Sequence, residues 1–361
     1  VNGNIWLSHD AVAPGYLAQL PVHDLPYEVL PSEDAVGRAM FEEIADAAEA
    51  KDGSLVMIIV GGRGGHTAAR RGLVWLDRRQ VLDTVGDSAQ QRAHVAPGGW
   101  GFQYTNPHYP DLDDTAVVVM AMDRFARESD ARGGPDFRAS IPAGSDWVHG
   151  LQSANGGWGA FDADNTSEYL NHIPFADHGA LIDPPTEDVT ARCLSMLAQL
   201  GETPETSESV ARGVQYLLDT QLKDGSWYGR WGLNYIYGTW SSLCALNACG
   251  IDHGSPEIRK AVNWLVSIQN PDGGWGEDGT SSRLDYRGHE PATGTSSQTA
   301  WALLGLMACG EVRNPAVARG VQYLAQTQTE SGFWDEERFT ATGFPRVFYL
   351  RYHGYRKFFP P

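Results

Sequence analysis

Two kinds of apolar pattern alternate along most of the chain. Runs of the first kind are apolar on nearly every side: TAVVVMAM at 115–122, VTARCLSML at 189–197, WSSLCAL at 240–246 and TAWALLGLM at 299–307. Each follows a stretch rich in Asp, Thr or Ser that can cap a helix N-terminus, and a helix without a polar face belongs in an interior. Runs of the second kind carry Arg, Lys and Asp on one side and predict outer helices. Four of these end in the same way: WVHGLQSANGGW at 147–158, YLLDTQLKDGSW at 216–227, WLVSIQNPDGGW at 264–275 and YLAQTQTESGFW at 323–334. In each, an aromatic residue stands five positions before a Gln (152, 221, 269, 328) and a Trp stands six after it. A weaker fifth copy runs from Trp75 through Gln80 to residues 86–88, with Ser88 in the Trp place. The spacing predicts a helix ending in a Gly-containing turn, the Gln bonding free backbone groups at the helix end and the indole lying over it. The fold expectation is therefore all-α: alternating inner and outer helices with short loops, forming an α/α toroid whose loops surround a central cavity.

The first seventy residues stand apart. Residues 32–50 read as one amphipathic helix with Val36, Met40, Ile44 and Ala47 on a face, and residues 55–60 as a strand. The Gly61-Gly62-Arg63-Gly64-Gly65 run lacks the Lys-Ser/Thr of a phosphate loop and reads as a plain connection. The domain expectation is an unassigned segment at 1–70 and one helical domain at 71–361.

Composition narrows the function. The 361 residues hold 27 Lys and Arg against 45 Asp and Glu, a net charge of −18, which leaves no basic stripe for nucleic acid. Cys193, Cys244, Cys249 and Cys309 form no CxxC pair and no Cys/His metal grouping, and read as reduced thiols in a cytosol-facing protein. The longest apolar runs, 55–60 and 116–122, fall far short of the roughly 20 residues that span a bilayer.

The most informative stretch is GGWGFQYTNPHYPDLDDTAVVVMAM at 98–122. It sets Asp111, Asp113 and Asp114 just before an apolar helix. One carboxylate suffices for a cap, and three in four residues are surplus. Buried, they need shared protons or cationic partners; by spacing alone a solvated acidic turn is the competing reading. Asp188 and Arg192 lie four apart on one helical face, which by itself also describes an ordinary surface pair.

With these residues in view, the Asp111-Leu-Asp-Asp-Thr-Ala stretch resembles the Asp-X-Asp-Asp signature of class II terpene cyclases. The Gln-to-Trp repeats resemble the QW repeats of squalene–hopene and oxidosqualene cyclases. Residues 155–162 (NGGWGAFD), 171–175 (NHIPF), 183–192 (DPPTEDVTAR), 229–238 (GRWGLNYIYG) and 342–345 (TGFP) are similar to the bacterial squalene–hopene cyclases in particular. The resemblance implies an α6/α6-like barrel of QW-type repeats. It also implies protonation of a terminal alkene of squalene, followed by a cation cascade to hopene or hopanol, with no metal and no cofactor. It makes Asp113 the proton donor, with Asp111 and Asp114 as supporting carboxyls and Asp188, Arg192 and Tyr237 beside them. It lines the cavity with Phe102, Phe161, Trp231, Phe344, Phe348, Tyr352 and Tyr355, whose ring faces stabilise cations without attacking them. Read alone, each of these rings is an ordinary core residue. Phe161 stands where some relatives have Tyr.

The partners implied are squalene, a peripheral (monotopic) hold on the cytoplasmic side of the membrane, and a homodimer as candidate assembly. Relative to the family pattern, the preceding α-barrel domain is absent from this sequence, so the expectation is an incomplete toroid: a C-terminal catalytic half in truncated form. The competing classes are a non-catalytic relic, a class II diterpene cyclase acting on a diphosphate, and a protein prenyltransferase β-subunit, which needs an Asp, Cys and His zinc set.

Overall fold

The computed structural model describes residues 67–102, 106–129, 135–173, 181–282, 288–344 and 348–360. The predicted helix at 32–50, the strand at 55–60 and the Gly run at 61–65 lie outside the described residues. Ten α-helices are present among those described. The outer series is α1 (Thr67–Asp77), α3 (Ser140–Gly150), α5 (Glu208–Thr220), α7 (Pro256–Ser267) and α9 (Pro315–Thr327). The inner series is α2 (Leu112–Ser129), α4 (Glu187–Gln199), α6 (Tyr235–Ala248) and α8 (Ser296–Ala308), and α10 (Tyr355–Phe358) closes the described chain. Successive inner helices pack on one another, each backed by outer helices. The two apolar patterns explain this sorting. Every residue of α8 is buried, whereas α5 buries only Val210, Gly213, Val214, Tyr216 and Leu217, one stripe of a helical surface. Closure of the run into a ring is not shown. Two short antiparallel pairs interrupt the all-α expectation: β1 (Trp100–Gly101) with β2 (Pro110–Asp111), and β3 (Ala341–Phe344) with β4 (Phe348–Leu350).

The repeats are hydrogen-bonded staples. Each repeat indole donates to a carbonyl in the last turns of its own helix: Trp158 to Val148 at 2.8 Å, Trp227 to Leu217 at 2.6 Å, Trp275 to Leu265 at 2.9 Å and Trp334 to Leu324 at 2.8 Å. Each Gln amide donates to the carbonyl four residues on, in the turn. In three of these copies a second bond reaches the start of the next outer helix: from Gln152 to Ser209 (2.9 Å), Gln221 to Glu257 (2.8 Å) and Gln269 to Ala316 (2.8 Å). The turn needs glycine: Gly225 has φ +103°, and a Cβ there would lie 2.7 Å from the Lys260 carbonyl oxygen. The Trp backbone N–H then donates to a threonine of the following inner helix, as Trp227 does to Thr239 (3.0 Å) and Trp275 to Thr299 (3.0 Å).

The fifth copy needs correction. Gln80 donates to Gly98 (2.7 Å) and Ser140 (2.9 Å), and the indole on Leu76 is that of Trp100 at 2.7 Å, not the Ser88 position. Residues 81–97 are looped out between the Gln and its turn, so a fixed spacing could not find the partner.

Candidate active site

The acid motif sits where β2 runs into α2. The Asp111 carboxylate accepts the Asp114 N–H at 2.8 Å and so caps α2, while the Leu112 N–H donates to the Ala160 carbonyl at 2.7 Å. That arrangement turns Asp113 inward, 9% exposed, toward α4. Arg192 of α4, 7% exposed, donates through Nε to Asp113 Oδ1 at 2.7 Å and through Nη2 to the Tyr237 hydroxyl of α6 at 3.1 Å. Its guanidinium carbon lies 5.8 Å from the Trp240 ring centroid. Asp188, one turn before Arg192, accepts from the Thr186 hydroxyl (2.6 Å), the Val189 N–H (3.0 Å) and the Trp231 N–H (2.9 Å). Asp113, Arg192 and Tyr237 are thus bonded in one line across three inner helices, Asp111 and Asp114 flank Asp113 on the chain, and Asp188 stands one turn before Arg192, tied to the Trp231 loop.

Burial sets the protonation of this group. Asp111 is pushed well above the usual carboxylate range by desolvation and by the charges of Asp114 and Asp113. Asp114 is raised to about 8 by burial and by Asp113, partly offset by Arg192, and its Oδ2 is buried without a hydrogen-bond partner. Asp188 is raised by burial despite three donors. Burial also lifts the Tyr237 hydroxyl well above its ordinary value. On Arg192, burial opposes the charge, but Asp113, Tyr237 and Asp188 together outweigh it and hold the guanidinium charged. The cluster therefore keeps protons on Asp111 and Asp114 near neutrality, with one cation fixed against Asp113.

Aromatic rings extend from the acid network. Tyr237 meets Trp240 and Trp301 edge-on at 5.4 and 5.0 Å, Trp301 meets Tyr355 at 5.6 Å, and Tyr355 meets Tyr352 at 4.8 Å. Phe161 and Trp231 form a separate edge-to-face pair at 6.2 Å. Phe102, half-buried, follows β1, whose Trp100 pairs with Asp111. The backbones of Phe344 and Phe348 lie in β3 and β4, and their side chains lie outside the described residues. Thr342 of β3 bonds through its N–H to the Trp231 carbonyl (3.2 Å) and through its hydroxyl to the Arg230 carbonyl, which ties that hairpin to the Trp231 loop.

The sequence profile described as "Squalene-hopene cyclase C-terminal domain" matches residues 50–361. The chain belongs to the squalene–hopene cyclase family. It is 67% identical over 301 residues to a "Probable squalene--hopene cyclase" of Sinorhizobium fredii, a match that covers 83% of the chain and 46% of the relative. Identity is 64% over 304 residues to the squalene–hopene cyclase of Bradyrhizobium diazoefficiens, covering 84% and 46%. The chain thus spans about half the length of the curated relatives it matches. Among solved structures, the type II terpene cyclase MstE of Scytonema with geranylgeranyl dihydroxybenzoate matches at TM-score 0.52 and 20% identity, over 78% of this chain and 70% of that one. At that identity the likeness concerns the fold.

Several residues of this cyclase-family site escaped the sequence reading. Trp240 and Trp301 stack at 5.9 Å, with Phe359 edge-on to both. They sat in runs read as plain core helix or beyond the quoted motifs. Glu277, 1% exposed, accepts the N–H groups of Asn234, Tyr235 and Ile236 at 3.1–3.2 Å. This remote cap starts α6 at Tyr235, five residues before the apolar run that marked the helix. Its signal was the position two after a repeat Trp, which Glu336 repeats by accepting the Ser297 N–H at the start of α8 (3.0 Å).

Proposed function

We propose that the chain carries the acid half of a protonation-initiated polycyclisation of squalene to hopene or hopanol. One observation carries this reading: three clustered carboxyls share a site with Arg192, which is bonded to one of them and to Tyr237, the first of a run of aromatic rings. An unactivated alkene is a very weak base, so its acid must be strong yet still protonated when substrate arrives. Clustering keeps the proton, because like charges cannot all ionise. Arg192 supplies the strength, because it stabilises the carboxylate left on Asp113 after transfer. The protons held on Asp111 and Asp114 recharge Asp113 before each turnover, Tyr237 orients Arg192 through its bond, and Asp188 adds its charge from one turn away.

The proton adds to the terminal alkene carbon, and the cation passes inward as each new carbon–carbon bond forms. The cascade ends by proton loss, which makes hopene, or by capture of water, which makes hopanol. Ring faces of Phe102, Phe161, Trp231, Phe344, Phe348, Tyr352 and Tyr355 stabilise the intermediate cations without quenching them. In this reading residues 71–361 form the catalytic domain and the helix run closes into an α/α toroid around those rings. Squalene is drawn from a bilayer by peripheral contact at its cytoplasmic face. Among the described residues, no helix is long and apolar enough to cross a membrane.

The test is incubation with squalene and, separately, with geranylgeranyl diphosphate, with products identified by gas chromatography and mass spectrometry. Cyclised isomers from squalene alone are expected, and Asp113→Asn should lower the rate by at least ~10²-fold. Turnover of the diphosphate instead, or full activity in Asp113→Asn, would overturn the reading.

A further inference from the structure

Asp183 and Arg230, both half-buried, form a second group of charges beside the acid motif. Asp183 Oδ2 accepts the N–H of Phe161 at 2.6 Å and of Asp162 at 3.2 Å. Its other oxygen is buried with no hydrogen-bond partner, and so is Arg230 Nε. Arg230 donates through Nη2 to the Ile182 carbonyl at 3.0 Å, and its guanidinium carbon lies 5.5 Å from the Trp231 ring centroid. Burial raises Asp183 to about 6, and the Arg230 charge and the two N–H donors restrain that rise.

These contacts converge on one pair of rings. The carboxylate grips the backbone of Phe161, the guanidinium lies over Trp231, and the two rings meet at an interplanar angle of 79°. The gripped loop is also the one whose Ala160 carbonyl holds the first residue of α2. A buried anion costs free energy unless it is paired and bonded, and leaving one oxygen idle there adds to the cost. An apolar residue would cap nothing and hold no loop, so the carboxylate is placed for geometry.

We propose that Asp183 is a positioning residue for the cascade: backed by Arg230, it sets Phe161 against Trp231 and thereby decides how far cyclisation runs before it terminates. This rests on the polycyclisation reading. Cation–π attraction falls quickly with ring distance and tilt. With Phe161 displaced, a partly cyclised cation lives longer without stabilisation and loses a proton early. The products are then isomers of squalene with fewer rings and correspondingly more double bonds, so atoms balance without any added reagent.

The test compares the wild-type chain with Asp183→Ala and Asp183→Asn. Hydrogen exchange over residues 158–165 reads the grip directly: Asp183→Ala should exchange about tenfold faster there, with the rest of the chain unchanged. Asp183→Asn, whose amide oxygen still accepts, should stay near wild type. With squalene, Asp183→Ala should shift the product mixture several-fold toward incompletely cyclised isomers, and Asp183→Asn should restore the wild-type mixture. Unchanged exchange in Asp183→Ala, an unchanged product mixture in an active Asp183→Ala, or an Asp183→Asn as impaired as the alanine variant would each overturn the proposal. If the wild-type chain leaves squalene unconverted, the polycyclisation reading fails, and the exchange data alone decide whether Asp183 holds the loop.

Discussion

Replacing Arg192 by Met removes the cation bonded to Asp113 and keeps much of the side-chain volume. Both partners are nearly inaccessible, at 7% and 9% exposure, so the carboxylate left behind cannot recover its hydration. Unit charges ~4 Å apart in an effective dielectric of ~20 attract by about 4 kcal/mol, and orphaning one member of a buried pair costs about 3–5 kcal/mol. The Tyr237 hydroxyl and the Trp240 ring lose their contacts with the guanidinium as well. Asp113→Asn should cost less, because the guanidinium keeps Tyr237 and the field of Asp188. The double variant carries neither charge, and its loss should fall short of the sum of the single losses by at least about 2 kcal/mol. Urea unfolding at neutral pH, followed by tryptophan fluorescence, gives the three values. Single losses that add to within about 0.5 kcal/mol would show that the two groups do not interact and would refute the ion-pair account of the site. The double variant should also fold without turning over squalene, which separates stability from chemistry.

Other expectations follow from the same geometry. Asp114 titrates near 8 in the folded chain and near 3.9 when unfolded, so the folded state holds a proton that the unfolded state has released. That contribution is complete below about pH 4 and is lost as pH rises to about 8; urea midpoints across this range should fall less steeply in Asp114→Asn than in wild type. Gln269→Ala removes amide bonds to Gly273 and Ala316 and should cost about 2 kcal/mol. Gln328→Ala, whose amide donates to Gly332, should cost about 1 kcal/mol in the same unfolding assay. Gly213→Ala would place a Cβ 2.7 Å from Trp158 and 2.8 Å from Leu194, an overpacking worth about 1–3 kcal/mol in thermal or urea unfolding.

Much of this molecule was readable along the chain because its elements repeat locally. Two apolar patterns separated inner from outer helices, and the Gln-to-Trp spacing located four turns in which the indole bond and the first amide bond close within one helix and its following loop. The surplus of carboxylates at Asp111, Asp113 and Asp114 marked the chemistry, since a cap needs only one. What the tertiary structure decided is everything that depends on which loops face each other. The repeat that starts at Gln80 is completed by Trp100, because residues 81–97 loop out and bring the Gly98 carbonyl to the Gln80 amide and the Trp100 indole to Leu76. Helix α6 begins at Tyr235 because Glu277, forty-two positions later, bonds its free N–H groups. Arg192 pairs with Asp113 from 79 residues away, and Asp183 holds Phe161 across 22. Local periodicity encodes what a segment buries. It carries no record of which distant charge will meet that segment in the interior, where low dielectric gives the meeting its consequence.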